Sequence, residues 1–177
     1  MGDNSERDEI TYWFDLHLDT HCLPYLVDIV DKAHYVLEDE INSGQLKEDT
    51  LDCDDLSRLI ADDLLIKYEK YRDTFPKLFS DEDIEHFFQK KDYFDMKFHE
   101  KWASALLGIL DRSRRVFQNE LINNESTNDK KDNGACMGKA ISDKLISNIT
   151  RQMLIIKFQK LKNEIKNYDK IEDKTPG

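Results

Sequence analysis

The segment Asp15-Leu16-His17-Leu18-Asp19-Thr20-His21-Cys22 gathers imidazole, carboxylate and thiol groups in a short stretch. His17 and His21 stand four apart, a separation that puts both rings on one side of a helix. Such a pair can bind Zn²⁺ or another transition metal when a carboxylate or thiolate completes the shell. The remaining histidines, His34, His86 and His99, have no partner at ligand spacing. A bare pair specifies a metal loosely and fits equally well on the edge of an apolar helix face. No cofactor is therefore expected, and His17 and His21 are the metal-ligand candidates if a metal is bound.

Carboxylates cluster twice, as Asp52, Asp54, Asp55, Asp62 and Asp63, and as Asp81, Glu82, Asp83 and Glu85. Metal-dependent phosphate chemistry requires carboxylates that converge on one cation. The chain has no glycine-rich phosphate loop and no calcium loop with its required Gly and terminal Glu. Ser80 followed by three acids reads as a helix cap with negative charge in the first turn. Nucleophilic catalysis has little support either. No Ser or Cys sits in a glycine-flanked elbow, and the adjacent His21 and Cys22 point about 100° apart on a helix. The residues point to a non-catalytic protein, with a small metal-dependent helical enzyme as the alternative.

Charge is distributed unevenly. The first hundred residues are strongly acidic and the last seventy-seven are net basic, within a formal net charge of −11. An acidic face attracts basic partners and repels nucleic acid. Arg112, Arg114 and Arg115 form a basic cluster, and Lys157, Lys160, Lys162, Lys166 and Lys170 follow near the C-terminus. These offer phosphate contacts for a further alternative, an RNA- or DNA-associated subunit. The acidic remainder argues against it, so nucleic acid is not the expected partner.

The elements that must position these groups read as helices. Hydrophobic residues make up 39% of 177 residues, and Phe 9, Tyr 7 and Trp 2 supply anchors that disordered chains lack. The expectation is an all-α fold: a single-domain bundle of about six helices over 1–177, with a long central helix and a coiled-coil-like C-terminal helix. No strand and no internal repeat is expected. Ile10, Trp13, Phe14, His17, Leu18 and His21 suggest a first helix over about 5–21, capped by Ser5. Pro24 opens a second, striped by Leu26, Ile29, Val30, Ala33, Leu37 and Ile41, and Gly44 stops it. A third over 51–73 carries Leu56, Leu59, Ile60, Leu64, Tyr68 and Tyr71.

Ile84, Phe87 and Phe88 follow the Ser80 cap. A long helix then carries Phe94, Phe98, Trp102, Leu106, Ile109, Leu110 and Phe117 to about Leu121. Its middle is apolar or small all round, as in a helix enclosed by others. Residues 122–136 read as a flexible internal loop. The last helix, about 139–168, places Leu154, Phe158, Leu161, Ile165 and Tyr168 at heptad spacing, a seam for the first helix or for a second copy. Residues 169–177 are expected to fray.

The sequence lacks a secretory leader pattern, a myristoylation motif and an apolar run of membrane-spanning length. Cys22, Cys53 and Cys136 are odd in number and far apart, as in reduced thiols. A cytoplasmic or nuclear protein is expected, without membrane contact. Its expected function is that of an adaptor, assembly subunit or modulator that binds a basic or amphipathic helix, with homodimerisation as a further possibility. The contact candidates are Phe94, Phe98 and Trp102, the acidic Asp54, Asp55 and Asp62, and the seam Leu154, Phe158, Leu161 and Ile165.

Overall fold

The computed structural model describes residues 10–74, 80–82, 85, 89, 92–126 and 133–172. The fold is mostly helical. Among the described residues, four long helices surround a two-stranded antiparallel sheet. The order is β1 (Trp13–Asp19), a 3-10 turn (Thr20–Cys22), α1 (Leu23–Ser43), α2 (Thr50–Thr74), β2 (Tyr93–His99), a 3-10 turn (Glu100–Trp102), α3 (Ala103–Ser126) and α4 (Asn133–Glu172).

The sheet corrects the all-helical expectation. Residues 13–19 form a strand where the first helix was expected, and 93–99 form a strand where the long helix was expected to begin. The physical reason is a period of two. Phe14, Leu16 and Leu18 are buried while Trp13, Asp15 and His17 are exposed, and Met96 and Phe98 alternate with Asp95 and Lys97 in the same way. Side chains of a strand point to opposite faces in turn, so this alternation suits a sheet with one dry face. Spaced aromatics at positions 94, 98 and 102 also satisfy a helical period, which made the two readings compete. The Ser5 cap, Ile84, Phe87 and Phe88 lie outside the described residues.

The chain also contains an internal repeat. Residues 13–42 match 93–122 position by position, with Phe14/Phe94, Asp15/Asp95, Leu26/Leu106, Ile29/Ile109, Asp31/Asp111, Val36/Val116 and Glu40/Glu120 identical. Strand pairing obeys the same symmetry. Leu16 lies opposite its own counterpart Met96, and Trp13↔His99 mirrors Asp19↔Tyr93. A local two-fold axis thus passes through the Leu16–Met96 pair. Each strand ends alike: the Asp19 carboxylate accepts from the His21 N–H, and its counterpart His99 accepts at Nδ1 from the Lys101 N–H. These side chains cap the 3-10 turns that lead into α1 and α3.

Buried faces follow from the pattern. Phe14 and Phe98 face one another across the sheet with ring centroids 5.5 Å apart, and the core continues through Leu26, Ile29, Ala33 and Leu37 of α1 and Leu106, Ile109, Leu110 and Phe117 of α3. α1 begins with Pro24 in its first turn and ends at Gly44, whose φ of 70° is the left-handed conformation that glycine adopts without strain. α3 packs against α1, α2 and α4, as its all-round apolar middle requires.

Two boundaries differ from expectation. Residues 122–126 complete α3 and 133–136 begin α4, so the expected loop is replaced by helix on both sides of 127–132, which lie outside the described residues. α4 runs through 169–172, and 173–177 lie outside as well. Ile41 and Leu59, expected on buried stripes, are exposed. No helix among the described residues is long and apolar enough to cross a membrane.

Candidate functional site

Arg112 is the most consequential of the residues singled out by type. The repeat places it on α3 opposite the C-terminal end of α1, with its side chain 2% exposed. Its Nε donates to Glu40 Oε2 at 3.0 Å, Nη2 to Asp49 Oδ1 at 3.0 Å, and Nη1 to the Gly108 carbonyl at 3.2 Å. Lys47 and Thr50 complete the surroundings of Glu40. Burial opposes the charge on Arg112, but hydrogen bonds to Asp49 and Glu40 more than offset it and raise the guanidinium above its ordinary pKa. The same contact holds the Asp49 carboxyl below its usual range.

Gly108 makes room for this cluster. A Cβ there would lie 2.6 Å from Asp49 Oδ2 and 2.7 Å from Cys53 Sγ. The counterpart pair across the local axis, Lys32 with Glu120, repeats the link at 3.0 Å, with both side chains about one-third exposed.

The three arginines of the basic cluster differ in exposure: Arg112 is buried, whereas Arg114 and Arg115 stay 40% and 51% exposed. Arg114 pairs with Asp111 and Asp143, and Arg115 donates to Asp111 at 2.6 Å. All three cations are committed to carboxylates of the same chain, which is what the surplus of acid in this protein makes available.

His17 and His21 do not share a helix face. His17 projects from the exposed face of β1, 2.6 Å from Asp95 Oδ1 and stacked on Tyr93. His21 lies in the 3-10 turn beside Tyr71. The spacing argument assumed a helix that the alternating pattern does not form. Among the described residues no three His, Cys, Asp or Glu side chains converge to hold a metal ion. Cys53 is a poor nucleophile: burial pushes its thiol up to about 12, and Sγ donates to the Ala105 carbonyl at 3.3 Å. Burial also raises the Cys22 thiol.

The aromatic candidates divide. Phe98 is core, and Phe94 and Trp102 are half-buried against it. Trp102 lines a groove of about 450 Å³ between β2 and α2, with Leu56, Leu59 and Asp63 on the helix side. Asp54 is buried and paired with Arg58 at 3.2 Å, whereas Asp55 and Asp62 are exposed. Asp62 joins Asp31 on the rim of a second groove of about 330 Å³ between α1 and α2.

The C-terminal seam is open. Leu154, Phe158, Leu161, Ile165 and Tyr168 are between 46% and 69% exposed. They do not pack on a first helix, because that stretch is β1, and α4 instead turns Ile149 and Ile156 into the core. Towards β1 it offers Gln152. Beyond that point Asn163 donates to the Tyr12 hydroxyl, Lys160 pairs with Glu100, and the apolar stripe faces away.

The open stripe, the two grooves and the internal repeat are features that sequence spacing only partly signalled. The repeat was readable from Phe14-Asp15 and Phe94-Asp95 onward, and the seam from its heptad spacing. Comparison with known proteins finds no family model, no curated sequence and no solved structure that matches this chain.

Proposed function

We propose that this protein is a non-catalytic docking module that captures an amphipathic helix of a partner protein on the C-terminal half of α4. The observation that carries this reading is the exposed row Leu154, Phe158, Leu161, Ile165 and Tyr168. Its 4-3-4-3 spacing is the seam of a coiled coil, whose apolar residues need a facing helix. Water contact with so many large side chains on one stripe is uncommon on a protein that works alone. Lys157 and Lys162 flank the stripe, one on each side, with Glu164 on the same side as Lys157. The complementary partner helix therefore carries apolar residues along its seam and carboxylates opposite Lys157 and Lys162, instead of the uniformly basic flanks suggested by overall charge. Asp55 and Asp62 on α2 stay available for a basic segment of the same partner.

A second reading is favoured by one detail. Lys157 and Glu164 lie on the same flank, seven residues apart, and face each other when two copies of the helix pair antiparallel. The stripe would then close on itself.

Two synthetic four-heptad peptides, alike in their apolar seam and flanked by Glu in one and Lys in the other, separate these readings. The Glu-flanked peptide is expected to bind the protein in fluorescence anisotropy and to lose binding with Phe158→Asp or Ile165→Asp. Both residues are exposed, so neither substitution moves the melting temperature appreciably. A monomer in light scattering that binds neither peptide would overturn the proposal. A dimer that Phe158→Asp dissociates would replace the partner with a second copy.

A further inference from the structure

The two outer edges of the sheet are related by the local axis and are treated differently. On β1 the Gln152 side chain of α4 accepts from the Asp15 N–H at 3.0 Å and donates to the Asp15 carbonyl at 2.6 Å. One amide group thus meets both main-chain groups of one residue, as the peptide unit of a neighbouring strand would. The bonds also fix which residues face outward. Residues opposite one another in an antiparallel pair exchange both main-chain bonds or neither. Asp15 turns its bonds away from β2, so Lys97 opposite it turns away from β1, and so does Asp95 opposite His17.

On β2 no such stand-in is present among the described residues. α4 lies against β1, whereas α2 makes only sparse contact with β2. Aligning the buried rows Cys53, Ser57, Ile60 and Leu64 with Gly138, Ser142, Leu145 and Ile149 sets Lys67 at the place of Gln152. Lys67 has no acceptor to offer, and its Nζ is held 2.7 Å from Asp63. The outer edge of β2 opens instead into the groove of about 450 Å³ beside α2. The groove reaches Met96 and Phe98 from the buried face of β2 and Asp95 and Lys97 from the exposed face, so it follows the strand edge itself. Leu59, 61% exposed, and Trp102 form its apolar wall.

We infer that this groove takes an extended peptide segment of a partner protein as a third strand, hydrogen-bonded to the main chain of Asp95 and Lys97. An unpaired strand edge next to an apolar wall is the arrangement used in strand addition: main-chain bonds hold the peptide and alternate side chains are read by the wall. The Gln152 amide on the sister edge is the internal evidence for the chemistry of the occupant, a peptide group. Residues of the segment facing Leu59 and Trp102 are apolar. The intervening ones are polar, with a carboxylate favoured beside Lys97 and a cation beside Asp95. This surface is separate from the α4 stripe, so substitutions in one leave the other intact.

The test is selection of an unbiased library of short linear peptides, displayed on phage, against the full chain. Selected peptides are expected to carry apolar residues at every second position. The tightest one, made synthetically, is expected to slow hydrogen exchange at the Asp95 and Lys97 amides. Lys97→Pro removes an outward N–H and is expected to weaken binding about fivefold or more, the effect of one main-chain hydrogen bond. Leu59→Asp, at an exposed position that cannot disturb folding, is expected to weaken it by a similar factor. Phe158→Asp is expected to leave it unchanged. Selected peptides with helical spacing, unchanged protection at Asp95 and Lys97, or an undiminished affinity of Leu59→Asp would each overturn the inference. So would a protein that dimerises through this edge and becomes monomeric with Lys97→Pro, because the occupant would then be a second copy.

Discussion

Replacing Arg112 with Met tests the internal ion cluster and the asymmetry of the repeat together. Methionine is close to the arginine stem in length but takes away every charged bond. Among the described residues, Glu40, with a side chain 10% exposed, would keep Lys47 and the Thr50 hydroxyl. Removing one partner of a buried ion pair and stranding the other costs about 3–5 kcal/mol. The counterpart substitution, Lys32→Met, breaks a pair of the same 3.0 Å length whose side chains are 31% and 32% exposed. Solvent screening reduces that loss to about 0–1 kcal/mol.

For a chain of this size about 2–4 °C of melting temperature accompanies each kcal/mol, so Arg112→Met should melt about 6–20 °C lower and Lys32→Met no more than about 4 °C lower. Urea titration of both variants measures the difference directly. Acid adds a second readout. The Asp49 carboxyl is depressed in the folded state, so its contribution is present above its unfolded pKa, near 4, and disappears as pH falls through the folded value. Arg112 is raised, so its contribution persists at every lower pH. Wild-type protein should therefore lose stability below about pH 4 more steeply than Arg112→Met. Equal losses for the two methionine variants, or parallel acid profiles, would refute the argument that burial makes one pair structural and the other incidental.

Two further outcomes follow from local packing. Gly138 lies on α4 under the Phe117 ring, and a Cβ there would come within 2.5 Å of it. Gly138→Ala, which stabilises an ordinary helix by about 1 kcal/mol, should here destabilise by about 1–3 kcal/mol in thermal melts, because the fully buried ring has nowhere to move. Thiol labelling with a disulfide reagent at neutral pH should modify exposed Cys136 first and leave Cys53 unmodified until the protein unfolds, since that thiol is buried and pushed up to about 12. Fast labelling of Cys53 in the native state would contradict its placement against Ala105.

Local signals in the sequence were sufficient for α1 and α2. Pro24 and Gly44 act on the backbone within a turn of where they stand, and the stripe Leu26, Ile29, Val30, Ala33 and Leu37 has one period and no competitor. The heptad row on α4 was equally legible, because spacing along one helix is a property of the chain alone. Strand 13–19 was not, since its aromatic and histidine positions satisfy two periods. The preference was settled by β2, which lies far along the sequence and covers one edge of it.

Tertiary structure alone decided the fates of charged residues. Arg112, Arg114 and Arg115 look alike in sequence, yet the packing of α3 against α1 encloses only the first, which carboxylates of α1 and of the turn before α2 hold, while Asp143 of α4 reaches Arg114. The same holds for the two sheet edges. Repeated strands have the same hydrogen-bonding groups, but Gln152 reaches one edge while Lys67 is held by Asp63, and that difference depends on how closely each helix lies to its strand.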